Sequence, residues 1–161
     1  MVAEYSISPL SEDNAREIIN WRYDQPYDLY DLEARHLEGF LNPDYRYHQV
    51  LEKNGSLVGY CCFGIDAQVP GGNYNLSEPM VLDIGVGMHP DLVGQGLGRD
   101  FVSAILDFAK YRYNPGSFRV TIADFNQRSQ NTFLSHGFRE GYKFIREMIE
   151  IPFTQYLKEI K

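Results

Sequence analysis

The chain has 161 residues, of which 43% are apolar and 23% charged, a composition that fits one folded domain and excludes disordered and fibrous proteins. Its formal net charge of −7 disfavours binding to nucleic-acid phosphates and favours attraction of cations such as amines. The adjacent Cys61 and Cys62 cannot form a disulfide framework. With no secretory leader after Met1 and no apolar run of about 18 residues, a cytoplasmic protein without a membrane contact is predicted.

Hydrophobic periodicity and turn residues predict alternating strands and helices along the whole chain. In the first half they predict a strand over 5–10, a helix from 11 to about 21, a helix over 32–41, and a hairpin of strands 45–52 and 56–65. In the second half they predict a loop over 66–79, a strand over 80–88, a helix over 97–111, a strand over 118–123, a helix over 126–135, and one or two strands over 138–151.

One stretch combines the end of a strand with a glycine-rich turn that opens a helix. It runs from Asp83 to Arg99 and reads DIGVGMHPDLVGQGLGR, with Gly94, Gly96 and Gly98 alternating at the start of the helix. Alternating glycines leave main-chain N–H groups uncovered, and with the helix dipole these groups form a site for an anion such as a pyrophosphate. Arg99 adds a positive charge at the rim. The alternative is that the glycines serve only a tight turn and close helix packing.

Two common phosphate-binding motifs do not fit this turn. It lacks the Gly-Lys-Ser/Thr end of a Walker loop. Its G-x-G-x-G spacing and its position in the middle of the chain also differ from the G-x-G-x-x-G of a leading βαβ unit, which argues against a dinucleotide-binding fold.

Two blocks of the sequence resemble those of the GCN5-related N-acetyltransferase (GNAT) superfamily. The block from Val93 to Gly98 is similar to the acetyl-CoA-binding motif Gln/Arg-x-x-Gly-x-Gly/Ala, and the second block combines Asn126, a short helix and Gly137-Phe138. The order of the elements also agrees over nearly the whole chain. The resemblance implies an α/β (α+β) fold with a mixed, mostly antiparallel sheet flanked by helices, splayed central strands, and a single domain over residues 1–161.

The resemblance also implies a binding site for acetyl-CoA. The turn would hold the pyrophosphate through its backbone, and the end of the preceding strand would hydrogen-bond the pantetheine arm as an additional strand does. The residues implied in cofactor binding are Val86, Gly87, Met88, Val93, Gly94, Gln95, Gly96, Leu97, Gly98, Arg99, Asn126 and Phe133. Independently of the resemblance, two glycines inside the strand over 80–88 indicate a bulge or the close approach of another chain or of a ligand.

The sequence departs from the family pattern at two positions. Val93 replaces the Gln/Arg, which matters little where the main chain binds the phosphates. Phe133 stands seven residues after Asn126, where the family often has a tyrosine that protonates the departing thiolate, and a phenyl ring cannot donate a proton. Because a free thiol has a pKa of about 8.5, the thiolate would be protonated by water or by another residue, or would leave unprotonated.

Asp83 is the candidate general base. The resemblance implies this role, because the family frequently has a glutamate on the strand before the phosphate turn. An alkyl ammonium, with a pKa of about 10.4, must lose a proton before it attacks, and Asp83 would accept it through a water molecule. The alternative is a structural position in the sheet or a pair with an arginine.

The resemblance implies an acceptor site after the first helix, in the segment WRYDQPYDLYDL, where Tyr23, Tyr27 and Tyr30 alternate with aspartates. Aromatic faces and carboxylates suit an amine. The alternative is an aromatic cluster with solvated aspartates. Within the loop over 66–79, the stretch over 68–79 is a candidate lid for this site. The histidines have no metal-ligand spacing.

The sequence therefore predicts an acetyl-CoA-dependent N-acetyltransferase that moves an acetyl group to a primary amine, either a small amine or a protein N-terminus, by direct attack in a ternary complex. The alternative is a catalytically weak acyl-CoA-binding module of the same fold, and a third option is a nucleotide-binding α/β domain. Acetyl-CoA as co-substrate and an amine acceptor are the predicted partners, without metal, nucleic acid or membrane. A homodimer is left open.

Overall fold

The computed structural model of the protein describes residues 4–74 and 80–160. Within these ranges the strands are β1 (Tyr5–Pro9), β2 (His48–Glu52), β3 (Leu57–Phe63), β4 (Val81–Met88), β5 (Ser117–Ala123), β6 (Arg139–Arg146) and β7 (Ile151–Glu159). The α-helices are α1 (Glu12–Ile18), α2 (Leu37–Leu41), α3 (Gly98–Tyr113) and α4 (Gln127–Ser135).

The seven strands of these residues form one sheet in the order β1-β2-β3-β4-β5-β7-β6. Only β4 and β5 pair in parallel, and every other neighbouring pair is antiparallel. The parallel pair is joined through α3, as a crossover between parallel strands requires. The predicted fold class, a mixed and mostly antiparallel sheet with helices, is confirmed.

The two central strands separate towards their carboxyl ends. Residues 81–84 of β4 pair with residues 117–120 of β5, and beyond this point β4 continues to Met88 on β3 alone. Over the same length β5 continues to Ala123 on β7 alone. A wedge-shaped gap therefore opens between the ends of β4 and β5, which confirms the predicted splay.

Apolar side chains on the two faces of the sheet pack into two separate cores, because successive residues of a strand point to opposite faces. The larger core lies under α3 and α4 and includes Phe63, Ile84, Phe101, Phe118 and Phe133. The smaller core is formed by Ala15, Ile18, Ile19, Trp21 and Phe40, with Tyr47 and Tyr60 packed against it. The sheet thus lies between two packed layers.

Local signals in the sequence placed several element ends correctly. The Ser11 hydroxyl accepts the N–H of Asn14 (3.2 Å) as the predicted N-cap of α1. The Asn54-Gly55 turn joins β2 and β3, with Gly55 at a φ of 91°. Gly137 ends α4 at a φ of 88°, as predicted for a left-handed cap.

Two predicted elements are wrong in extent. The predicted helix over 32–41 is a 3₁₀ turn over 34–36 followed by only five α-helical residues, because the chain is capped at Glu33 by the His36 ring. The predicted tail of one or two strands over 138–151 omits most of β7, which runs to Glu159 between β5 and β6. The predicted lid over 68–79 is described only to residue 74, and its remainder lies outside the described residues.

Candidate active site

The glycine-rich turn lies at the carboxyl end of β4 and leads directly into α3. Gly94 and Gly96 have φ values of 75° and 77°, a region that glycine adopts without strain. A Cβ placed on Gly96 would meet no atom within 4 Å, so this side of the turn faces open space. A Cβ on Gly98 would lie 3.3 Å from the Thr132 hydroxyl of α4, so close packing also limits this position. The turn thus has the open main-chain surface that a diphosphate needs, and its third glycine also serves helix packing.

A side chain from α4 and one from the residue just after it flank this turn. The Arg128 guanidinium would lie 3.7 Å from a Cβ on Gly94, and it covers the Tyr27 ring at 4.5 Å from the ring centre. The His136 Nε2 donates to the Arg99 carbonyl (3.0 Å) and so fixes the start of α3 against the end of α4. Sequence analysis missed Arg128, although its place in the first turn of the helix after Asn126 is a recognisable signal.

At the end of β4, the three residues predicted to contact the pantetheine arm do not all direct their main-chain groups to the same side. The N–H of His89 donates to the Val58 carbonyl (2.8 Å), so this residue faces β3. Because antiparallel residues alternate between facing the partner and facing away, Gly87 also faces β3, whereas Val86 and Met88 face the gap. The N–H groups of Val86 and Met88 are therefore directed at the gap. The main-chain groups of Gly87 are directed at β3, and its contact with the pantetheine arm stays a prediction.

Gly87 is needed for a different reason. A Cβ on Gly87 would lie 2.3 Å from the Tyr60 ring, so this ring rests directly on the backbone of β4. Burial raises the pKa of the Tyr60 hydroxyl. The group that approaches this glycine closely is therefore an aromatic side chain of β3.

The segment that carries the predicted acceptor tyrosines crosses the mouth of the gap. On the β4 side, the Tyr23 hydroxyl donates to the Met88 carbonyl (2.7 Å), and the Tyr23 N–H is held by the Asp31 carboxylate (2.9 Å). Burial raises the pKa of the Tyr23 hydroxyl, with the nearby Asp31 charge adding to the effect. The Met88 carbonyl is therefore already occupied, while its N–H still faces the gap.

On the β5 side, the same segment contacts the residue predicted to bind the cofactor. The Asn126 amide group donates to the Tyr30 oxygen (3.1 Å), and the Asn126 amide oxygen accepts the N–H of Ser129 (3.1 Å) as the N-cap of α4. Tyr27 and Tyr30 both pack on the Phe125 ring, at 5.7 and 6.0 Å between ring centres. The structure thus brings Tyr23, Tyr30 and Asn126 together around one opening.

Phe133 does not reach this opening. Its side chain is 1% exposed and packs edge-on against Phe138, at 5.1 Å between ring centres. It supports the larger core from α4. The prediction that Phe133 contacts the cofactor therefore has no geometric support.

Asp83 lies beside an arginine in the middle of the sheet. Its carboxylate binds the Arg119 guanidinium through two hydrogen bonds (2.6 and 2.9 Å), and both side chains are less than 10% exposed. Gln68 donates a third hydrogen bond to the same carboxylate (2.9 Å), and the Tyr74 ring covers Arg119 at 4.8 Å. This geometry matches the structural alternative, a pair with an arginine, more closely than that of a general base.

The described residues 4–74 and 80–160 contain no group of three or more His, Cys, Asp or Glu side chains placed to hold a metal ion. Within the same residues, every helix is too short or too polar to cross a membrane.

Comparison with known proteins gives one family and many similar folds. The model of the acetyltransferase (GNAT) family matches residues 12–138. A search of curated proteins found no match. Among solved structures, the GNAT-family acetyltransferase from Bacillus anthracis has 16% identity and a TM-score of 0.75, covering 98% of this chain and 96% of that one.

The spermidine N-acetyltransferase from Vibrio cholerae, solved with CoA and spermine, has 15% identity and a TM-score of 0.69, with 96% of this chain and 95% of that chain covered. Identities this low show the shared fold alone. The family match covers most of the chain and includes β4, the glycine-rich turn and α4. On that basis, the chain belongs to the GNAT acetyltransferase family, whose members are acetyl-CoA-dependent acyltransferases.

Proposed function

We propose that the protein transfers an acetyl group from acetyl-CoA to a primary amine by direct attack in a ternary complex, with the whole chain acting as one domain. One observation carries the proposal. The N–H groups of Val86 and Met88 face an unpaired gap whose end opens onto a glycine turn with an uncovered main chain.

Different residues of this chain would bind different parts of acetyl-CoA. The turn over Gly94–Arg99 and the Arg128 guanidinium supply N–H groups and positive charge for the phosphates. Val86 and Met88 supply main-chain groups for the pantetheine arm, which would complete the edge that β5 leaves open. The same N–H groups would stabilise the negative charge that develops on the oxygen of a thioester carbonyl in the gap.

The acceptor would enter from the side of the Tyr23–Asp31 segment. Tyr27 and Tyr30 offer aromatic faces there, and Asp24 and Asp28 are exposed carboxylates of the same segment. Aromatic rings and carboxylates attract an ammonium group, and the net charge of −7 adds a general attraction for cations. The similar fold of a spermidine N-acetyltransferase supports an amine acceptor of this kind. We therefore favour a small cationic amine over a protein N-terminus.

The test measures binding and turnover separately. Melting curves with CoA and acetyl-CoA report binding, and release of free thiol over a panel of amines that includes polyamines, amino acids and an N-terminal peptide reports transfer. Stabilisation by both coenzymes and thiol release with at least one amine are expected. No stabilisation by either coenzyme would overturn the proposal.

The alternative function, a catalytically weak acyl-CoA-binding module, is favoured by one observation. The side chain of Phe133 is apolar and buried, so α4 supplies no proton donor at this position. Stabilisation by CoA with no thiol release on any amine would support the binding module instead.

A matched pair of glycines tests the phosphate turn. Gly96 and Gly55 both have positive φ values, and a Cβ on either would meet no atom within 4 Å. The substitutions Gly96→Ala and Gly55→Ala therefore add a similar backbone strain, about 1 kcal/mol each. Only Gly96→Ala is expected to weaken CoA binding, measured by calorimetry. Equal affinities in the two variants would contradict the assignment of the turn.

A further inference from the structure

The proposed reaction, on which this inference rests, releases a thiolate that a proton donor would stabilise. When the amine nitrogen bonds to the thioester carbon and the C–S bond breaks, the sulphur keeps the electron pair and the nitrogen loses a proton. A free thiol has a pKa of about 8.5, so the thiolate accepts a proton readily from a donor in contact with it. The described residues around the gap show which side chain has such a proton available.

Two hydroxyl groups near the gap already have hydrogen-bond partners. The Tyr23 hydroxyl donates to the Met88 carbonyl (2.7 Å). The Tyr74 hydroxyl lies 2.7 Å from the Thr121 hydroxyl and accepts the N–H of Val69. The Tyr23 proton is therefore used within the structure, and the Tyr74 oxygen is held between Val69 and Thr121.

Tyr30 is different, because its oxygen acts only as an acceptor. The orientation of the Asn126 amide is fixed, since its oxygen must accept the N–H of Ser129 at the start of α4. Its NH₂ group is therefore the part that faces Tyr30 and donates to the phenol oxygen (3.1 Å). Among the described residues, none accepts the Tyr30 proton, which leaves it free to point at a group in the gap.

The position of Tyr30 is set by the end of β5. Its ring packs on Phe125, the residue just before Asn126, at 6.0 Å between ring centres. Tyr30 thus lies at the β5 wall of the opening, while Tyr23 lies at the β4 wall, where Val86 and Met88 direct their N–H groups. A thioester held by β4 would have its sulphur between these two walls.

We propose that Tyr30 donates its phenolic proton to the thiolate as the C–S bond breaks, the role that the buried Phe133 cannot perform. The sulphur receives the proton and becomes the thiol of CoA. The phenolate left on Tyr30 is stabilised by the amide of Asn126 and takes up the proton that the amine nitrogen releases, directly or through water. No other reactant is consumed, and the enzyme returns to its starting state.

The protonation state of Tyr30 agrees with this role. Burial raises the pKa of the Tyr30 hydroxyl, and the hydrogen bond from Asn126 opposes this effect to a smaller extent. Tyr30 is therefore protonated at neutral pH, which a proton donor requires.

The first experiment compares Tyr30→Phe with Tyr111→Phe, a control at a tyrosine that is 92% exposed on α3. General acid catalysis typically contributes roughly 10²–10⁴-fold to the rate. The expected result for Tyr30→Phe is a fall in kcat of about 100-fold with a KM for acetyl-CoA within about threefold of the wild type. Tyr111→Phe should leave both constants unchanged.

A second measurement detects the contact between the Tyr30 hydroxyl and the CoA sulphur in the absence of turnover. The pKa of the CoA thiol bound to the protein is followed by the ultraviolet absorbance of the thiolate. Because a phenol that donates to the thiolate stabilises it, removing the phenol should raise the pKa of the bound thiol by about one unit. The affinity for desulpho-CoA, which lacks the sulphur, should be equal in the wild type and in Tyr30→Phe.

The outcomes separate this inference from the proposed function. A wild-type protein that neither binds CoA nor releases thiol would overturn the proposed function itself. An active wild type with a Tyr30→Phe variant within threefold in kcat, and an unchanged thiol pKa, would overturn only the role of Tyr30. If Tyr30→Phe does not fold, 3-fluorotyrosine at position 30 keeps the shape and lowers the pKa of the phenol. The alkaline limb of kcat should then begin at a lower pH, and an unmoved limb would refute the inference.

Discussion

Removal of the Asp83 carboxylate should destabilise the fold strongly, because it leaves the Arg119 guanidinium in the sheet without its carboxylate. Both side chains are less than 10% exposed and are joined by two hydrogen bonds. Breaking a buried pair by removing one partner costs about 3–5 kcal/mol, a large part of the roughly 5–15 kcal/mol that stabilises a domain. At about 2–4 °C per kcal/mol, Asp83→Ala should lower the Tm by about 6–20 °C.

Equilibrium unfolding in denaturant, followed by circular dichroism, measures this loss. Glu12→Ala is the control, because the Glu12–Arg16 pair is more than half exposed and is worth about 0.5 kcal/mol. The double variant Asp83→Leu/Arg119→Met removes both charges and should be more stable than Asp83→Ala. A loss below about 1 kcal/mol for Asp83→Ala would refute the reasoning about a buried pair.

Asp83→Asn distinguishes the two roles of this carboxylate. A structural pair predicts a lower Tm with a turnover that changes little with pH in the folded variant. A general base predicts low turnover at neutral pH that recovers at alkaline pH, together with a stable fold. The second result would restore Asp83 to the mechanism.

Three further predictions concern charge and reactivity. Arg128→Gln should weaken CoA binding about tenfold in calorimetry, because one charged contact to a phosphate is lost, and an unchanged Kd would remove Arg128 from the phosphate site. Burial raises the pKa of the Cys61 thiol, and it raises the pKa of Cys62 to about 12, so mass spectrometry should find neither alkylated at pH 8 until denaturant is added. Burial lowers the pKa of His48, so the unfolded state binds its proton more readily. The free energy of unfolding should therefore fall as the pH drops through about 6.5, and His48→Phe should reduce this slope.

The parts of the structure that follow from short stretches of sequence could be predicted. The turn before α3, the Ser11 cap and the hairpin at Gly55 each depend on a few neighbouring residues with restricted backbone conformations. The splay of β4 and β5 was predicted from a family resemblance. The pattern within β4, with Gly87 on one face, supported it locally.

The parts that depend on contacts between distant residues could not be predicted. The bond from Tyr23 to the Met88 carbonyl joins residues 65 positions apart, and the bond from Asn126 to Tyr30 joins residues 96 apart. The pairing of Asp83 with Arg119 likewise depends on the parallel register of two strands, so the sequence left its role undecided. The predicted extent of β7 was too short, because the strand is defined by its pairing with β5 and β6, which are distant contacts.

The segment that crosses the mouth of the gap, residues 22–31, has a consequence for redesign. The groups proposed to bind the coenzyme come from β4, the glycine-rich turn and α4. The segment over 22–31, proposed to bind the acceptor, lies before β2 in the chain. The two sets meet at the hydrogen bond between Tyr30 and Asn126 and at the stacking of Arg128 on Tyr27. A chimera that receives residues 22–31 from a relative would therefore need to receive positions 126 and 128 with them. Without these partners, the transplanted segment would lose its contacts with the residues proposed to bind the coenzyme.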